Sequence, residues 1–567
     1  MVGKNTNKER ILNHPLLILL LFCIILIPLT NGSFYLMNEV ESGVFASIGV
    51  IFALILILYE SSSKLPMFIV KTSITAILCG LLLAVLRHFA GTLIYYVGTV
   101  TMIPAIMLFV LLFCKYKNNL DSRRITASVL IFIVWTCICY MLYISYVSRS
   151  IDTGLFLGQT GHYNDGHSGY IKYIVDNNWI PNVDIRGLGQ FYHPPLHHLI
   201  CAYFLKLYWT LFPSFGDNVE VLKFVTFYSA MATVFSFYRI LKLWNISRDR
   251  IVILLLFFAF NPHVITSCAN INNDALSSMF IFVGMEKAFS WYKTQSIKDI
   301  VKVSLAVGLG MMTKLSVGIL AFPIGFIFLS ALFSSQRSFR ASIKKLFPQF
   351  LVFAAICVPL ALWFQIRNYV KFGIPINYLF GAGKDDYIES LNIGERLFRL
   401  PNEFSIYSGK DSINNANIII QSFKTFLFSS FTYKEAEIIN IVGSTAFALS
   451  VLLAVVSVFS VIYTLVRNIR KKHMVTETTS IIILAIVLLA GYVYYCMFFP
   501  YIWTMHYRYI AQILITAGIS TGIMLDDLAG VNGKRGLAIK ALTLFVATVW
   551  TLNIFILFVT LSFVYII

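Results

Sequence analysis

The sequence predicts an all-α protein, a polytopic bundle of about 15 transmembrane helices. Three observations predict it. Of 567 residues, 58% are hydrophobic and only 12% charged, and a mean hydropathy of +0.79 lies outside the composition of soluble globular chains. Apolar runs of about 20 residues, enough for a helix to cross a bilayer, recur along the chain. The Lys and Arg residues gather in the short links between those runs, as orientation signals do.

Taken in order, the first run (residues 15–30) follows the basic segment 4–10. No small-residue cleavage site follows it and more apolar runs come directly after, so it reads as a retained helix. Further runs begin near Gly43, Met67 and Thr92, completing four, and others near Ile125, Pro194, Val219, Ile251, Asn273, Ile300, Leu315, Phe347, Ile441, Ser480, Tyr507 and Leu537, sixteen in all. The basic clusters Lys115, Lys117, Arg123 and Arg124; Arg337, Arg340, Lys344 and Lys345; Arg467, Arg470, Lys471 and Lys472; and Lys534 with Arg535 are expected on the cytoplasmic side. That orientation puts the two long polar segments, 148–192 and 372–437, outside. The chain divides accordingly into extra N-terminal helices (1–118), a central module with its outer loop (119–372, loop 148–192), a second outer loop (373–438) and C-terminal helices (439–567).

Parity exposes one conflict. Six candidate runs lie between His193 and Arg337, whereas a passage from outside to inside needs an odd number. Either the run after Pro194, which carries Lys206 midway, lies along the interface, or the split pair around Lys314 is one bent helix. With Arg248 and Arg250 inside, Asn272, Asn273, Asp274 and Lys314 fall near the outer face.

The net charge of +18 is spread over those links, which argues against a nucleic-acid partner. The nine cysteines lie within or at the ends of apolar runs, without framework or metal-ligand spacing, and read as packing residues. No internal repeat, low-complexity tract or soluble domain is evident.

The segment 152–198 breaks the apolar pattern. Ionisable groups at a bilayer edge are costly, so a concentration of them points to use. Asp165 precedes a stretch in which Tyr170, Ile171, Ile174 and Val175 recur at helical spacing, while His167, Lys172, Asp176 and Asn177 fall elsewhere. This describes a short helix lying on the membrane surface, with Asp165 placed to cap it, to act as a base, or both. His193-Pro194-Pro195 then opens the next run, since proline suits a first helical turn. His162, His167, His193, His197 and His198 could hold a divalent ion, but none of their spacings is diagnostic. No metal and no cofactor are therefore assigned.

These residues resemble the first outer loop of GT-C superfamily glycosyltransferases. The match rests on Asp165 ahead of the amphipathic helix, on Asn178-Trp179-Ile180-Pro181, and on Tyr192-His193-Pro194-Pro195-Leu196. Protein O-mannosyltransferases share the His-Pro-Pro-Leu form, and undecaprenyl-phosphate aminoarabinose transferases have Lys-Pro-Pro-Leu. Asn272-Asn273-Asp274, Met312-Thr313-Lys314, Arg367-Asn368 and His506-Tyr507-Arg508-Tyr509 resemble later elements of the same families.

The resemblance implies a GT-C-like bundle with amphipathic helices in its first outer loop, spanning the plasma membrane many times, with the active site on the extracytoplasmic face. It implies transfer of a hexosyl or pentosyl group from a polyprenyl-phosphate sugar to a glycan, protein or lipid acceptor, with inversion. Asp165 is the expected catalytic base. His193, Lys314, Arg367 and Arg508 are expected at the donor phosphate, and His167, Tyr192, Asp274, Asn368 and Tyr507 at the substrate. The alternative is a transporter or flippase of a lipid-linked sugar, although polar residues gathered at one face fit that less well than a midplane site would. Two features depart from the families: their Asp-Glu pair is Asp165-Gly166 here, and four extra helices precede their usual first one.

Overall fold

In the computed structural model the described residues are 137, 166–211, 213, 219–268, 270–333, 338–376, 378, 392–399, 416–429, 437–470, 476–529 and 534–561. The N-terminal runs and Asp165 lie outside them. Every regular element among the described residues is helical. The all-α expectation is borne out.

Helix α1 (Gly166–Asn177) buries Tyr170, Ile171 and Ile174, the face expected from their spacing. The loop that follows ends in a 3-10 turn at Gly189–Tyr192, and α2 (Leu196–Leu211) starts just beyond Pro195. At its start α2 stacks His198 on Tyr170 of α1, ring centroids 4.2 Å apart. Further along, the Tyr203 hydroxyl donates to Asn178 O at 2.7 Å and Lys206 Nζ donates to the Asn178 side chain. The two helices therefore run side by side in the same direction.

The next helices alternate between two ends of the bundle. Helix α3 (Lys223–Leu243) is followed by α4 (Arg248–Ala259) and α5 (Pro262–Ser267), which together return along it. Phe237 stacks on Phe258 at 4.2 Å, and Thr226 Oγ1 donates to Cys268 O at 3.2 Å. Helix α6 (Asp274–Thr294) runs parallel to α3, joined to it where Ser236 donates to Glu286 at 3.2 Å. Helix α7 (Ile297–Thr313) comes back and stops at Lys314, whose backbone is extended. A 3-10 turn at Leu315–Leu320 then leads into α8 (Ala321–Leu332), which passes Trp291 of α6 through Phe328 at 4.7 Å.

The reversal at Lys314 is tight, because a Cβ on Gly310 would stand 2.6 Å from Val317 Cγ1 and 2.9 Å from Phe280 Cβ. The pair around Lys314 is thus a hairpin of two antiparallel runs, not one bent helix. Five runs then separate residue 219 from the break after α8, an odd number. The run after Pro194 is the one that starts and finishes at the same end.

Helix α9 (Phe339–Phe372) rises from the far end, where Trp291 Nε1 donates to Gln349 at 2.8 Å, to the site end, where Trp363 Nε1 lies 2.9 Å from Met312 Sδ. Short helices α10 (Ile393–Phe398) and α11 (Ile418–Phe428) sit at that end. Helices α12 (Glu437–Arg470), α13 (Thr476–Phe498), α14 (Leu514–Ala529) and α15 (Lys534–Leu561) complete the bundle. Arg467 holds Asp527 at 2.6 Å at the far end, where Arg250 and Lys345 also gather.

Five helical segments among the described residues are long and apolar enough to cross a membrane. The outward side chains of α12 include Val455, Val458, Phe459 and Ile462, all more than half exposed. So continuous an apolar exterior requires lipid rather than water around it, so the chain is an integral membrane protein.

Expected from the hairpin packing, Gly310→Ala lowers stability by about 1–3 kcal/mol through overpacking. Gly325→Ala in α8, where a Cβ meets nothing within 4 Å, leaves it unchanged or slightly raised. Thermal unfolding of the two variants in one detergent measures the difference.

Candidate functional site

Asp274 opens α6, but its side chain does not cap the helix. The Asn272 side chain takes that part, accepting the Asp274 backbone N–H at 3.0 Å. The freed carboxylate, whose side chain is 8% exposed, binds Lys314 Nζ through Oδ1 and lies 3.3 Å from Arg508 Nη1 through Oδ2. Lys314 reaches it because α7 ends there. Its N–H still bonds Gly310 O at 2.9 Å, and the adjoining Thr313 carbonyl accepts from Asn273 Nδ2 at 3.2 Å.

Arg508 arrives from the other side of the bundle. Tyr507 was expected to begin an apolar helical run, but residues 502–513 form three 3-10 turns and α14 starts only at Leu514. Side-chain hydroxyls take the place of helical backbone bonds there. Thr504 Oγ1 donates to Phe499 O at 2.9 Å and Tyr501 O at 2.7 Å, and Thr425 Oγ1 accepts the Tyr507 N–H at 2.9 Å. This irregular stretch carries Tyr509, whose ring lies 4.9 Å from Lys314 Nζ and 5.0 Å from the Arg508 guanidinium. One aromatic ring thus lies close to two cations. Arg508 Nη2 donates to the Tyr509 hydroxyl at 3.1 Å, while its buried Nε has no hydrogen-bond partner.

Against this ion group stands a stack of imidazoles. His167, in the first turn of α1, lies 5.4 Å from His193 and 5.2 Å from His198, nearly parallel to both, and its Nδ1 is 3.0 Å from His198 Nε2. His193 follows the 3-10 turn, with Tyr192 tilted over it at 4.1 Å. Burial, then the charge of neighbouring Lys314, holds the His193 imidazole well below its usual pKa. Burial, with His193 and His197 close by, does the same to His167. Both rings are neutral at pH 7 and can donate or accept without adding charge. Among the described residues, no three His, Cys, Asp or Glu side chains form a metal-binding group.

The structure therefore gathers Asp274, Lys314, Arg508, His193, His167 and Tyr192 at one end of the bundle. It places three other expected residues differently. Arg367 donates to Pro181 O at 2.6 Å, to Asn182 Oδ1 at 3.3 Å and to Asn368 Oδ1 at 2.8 Å, which ties α9 to the loop after α1. Asn368 completes that tie. Tyr507 packs on Phe426 at 4.8 Å and edge-on to His263 at 5.4 Å. Sequence reasoning gave no role to Tyr509, although it adjoins Arg508, and considered His198 only as one of five histidines that could hold a divalent ion.

Gly166 has φ +63°, a left-handed conformation that strains any residue with a β-carbon. A second acidic residue at that position would therefore be strained.

Residues 192–363 match the model of a family described as dolichyl-phosphate-mannose-protein mannosyltransferase. The matched stretch includes Tyr192, His193, Asp274 and Lys314, so the resemblance read from the motifs is borne out there. Among solved structures, the archaeal oligosaccharyltransferase AglB from Archaeoglobus fulgidus, in complex with an inhibitory peptide and a dolichol-phosphate, is similar with 12% identity and a TM-score of 0.40 over 77% of this chain. The chain covers 55% of that relative's length. No curated protein matches the sequence.

The neutral histidines predict a pH dependence. Above about pH 6.5 neither folded nor unfolded chain protonates them. Below it the unfolded chain binds protons that the folded site refuses, so stability falls as pH falls. The midpoint of thermal unfolding is expected to drop between pH 6.5 and 5, and the double variant His167→Gln/His193→Gln to show a shallower drop. An equal slope in that variant would show that these rings do not contribute.

Proposed function

We propose that this protein is a membrane glycosyltransferase that moves a sugar from a polyprenyl-phosphate donor to an acceptor hydroxyl or amine on a glycan, protein or lipid, with inversion at the anomeric carbon. The observation that carries the reading is the convergence of Lys314, Arg508 and His193 beside α1, whose first residue directly follows Asp165. The match of residues 192–363 to a mannosyltransferase family supports it.

In this mechanism the donor phosphate lies by Lys314 and Arg508, with its tail among the helices. Asp165 removes the proton from the acceptor hydroxyl. The acceptor oxygen forms its bond to the anomeric carbon while the bond from that carbon to the phosphate oxygen breaks, and the electron pair leaves on the phosphate. Cations fixed in advance stabilise that growing charge without reorganising, which is where most of the rate comes from. Neutral His193 and His167 are placed to donate hydrogen bonds, with Tyr192 closing the same side. Arg367 and Asn368 act as positioning residues by holding the outer loop, and Tyr507 fixes the turn that presents Arg508. The proposed site faces the extracytoplasmic side of the plasma membrane, opposite the basic end where Arg250, Lys345 and Arg467 gather.

Purified protein given a polyprenyl-phosphate sugar is expected to transfer it and release polyprenyl phosphate. Asp165→Asn should reduce transfer by on the order of 10²–10⁴-fold, the usual worth of a positioned base, with unfolding temperature unchanged. Full transfer by the folded variant would remove Asp165 from the chemistry. Movement of the intact lipid across vesicles, without release of polyprenyl phosphate, would replace the reading with a flippase.

A further inference from the structure

The ion group at the site end contains an apparent contradiction. Two cations suited to an anionic ligand are already engaged by a carboxylate of the same chain. Asp274 uses one oxygen for Lys314 and the other for Arg508, 3.3 Å away, so each cation is held by its own oxygen. The three side chains come from α6, from the α7 hairpin and from the 3-10 stretch before α14, elements that share no local sequence. Their charges sum to plus one, since Lys314 and Arg508 contribute two positive charges and Asp274 one negative. The neighbouring His167 and His193 add none at pH 7. Arg508 also keeps a buried Nε–H without a partner. A buried donor left unfilled is costly, so this edge of the guanidinium calls for one more acceptor.

We infer that Asp274 is a specificity-determining residue: it spaces Lys314 and Arg508 and cancels one of their charges, so that the site selects a lipid phosphodiester with a single negative charge over a lipid diphosphate. The inference rests on the lipid-phosphate reading above and adds the residue that sets the charge the site accepts. One ionised phosphate oxygen neutralises the group and can accept from the open Nε–H. A diphosphate brings at least one negative charge more than this group of three balances, and an unmatched charge in a low-dielectric site is disfavoured. The same arithmetic acts after transfer. The released phosphomonoester gains a second ionisable oxygen, exceeds the charge the group balances, and is held less firmly than the donor.

Two soluble short-chain probes test this on the detergent-purified full chain: a prenyl methyl phosphate, with one charge, and the diphosphate of the same prenol. Affinities are read from ligand-induced shifts in thermal unfolding, with no transfer required. The wild type is expected to prefer the diester by about tenfold or more. Asp274→Asn should abolish or reverse that preference, and Asp274→Glu should keep it. The double variant Asp274→Asn/Lys314→Gln, which restores a net charge of plus one, should recover it and controls for damage from the single change. A wild-type preference for the diphosphate, or the same preference in Asp274→Asn as in wild type, overturns the inference while leaving the lipid-phosphate reading standing. Failure of the wild type to bind either probe overturns both.

Discussion

A carboxylate and two cations placed in a poorly solvated end of a helical bundle must satisfy one another, and much of this structure follows from that requirement. Removing one member of a buried ion pair leaves an uncompensated charge worth about 3–5 kcal/mol of destabilisation. Asp274, Lys314 and Arg508 can meet only if α7 stops and reverses, α6 starts level with that reversal, and the chain before α14 abandons regular helix to bring Arg508 across. Each irregularity is matched by a local substitution for lost backbone bonds: the Asn272 side chain at the start of α6, the extended Lys314 at the hairpin, and the Thr425 and Thr504 hydroxyls around residues 502–513. Tyr509 then lies against both cations from one side.

The loop that faces this ion group is held from two directions. At one end, the stack of His167, His193 and His198 joins α1 to α2. At the other, Arg367 and Lys371 on α9 both reach Asn182, Lys371 at 3.0 Å, and Arg186 reaches Phe372 O at 3.2 Å. Because α2 begins and finishes at the site end, it extends that platform instead of adding a crossing. The platform and the alternation of the remaining helices are therefore two aspects of one arrangement.

Much of this was legible in the sequence, for physical reasons that can be named. Apolar runs and basic links give the helices and their ends because lipid imposes both. The period of Tyr170, Ile171 and Ile174 gives α1, and the motif holding His193 marks the entry to α2. What the residues could not give is convergence between distant elements. Nothing local to Asp274 says that Arg508, 234 positions later, will share its carboxylate, or that Asn272 will take the backbone N–H at the start of α6 and leave that carboxylate free. Nor does the sequence say that Arg367, expected at the phosphate from the resemblance, holds backbone and side chain of the loop after α1. The parity of crossings needed the packing of Gly310 on Val317 to be seen, since a bent helix and a hairpin have the same composition.

The left-handed backbone at Gly166 also limits what the start of α1 can carry. Its φ of +63° is a conformation that favours glycine, so the shape of this turn and the lack of a side chain in it go together. An acidic residue at 166 would bring a β-carbon into that left-handed conformation, at a cost of about 1–2 kcal/mol. A second carboxylate at the start of α1 thus asks for a change in the turn as well as in the side chain.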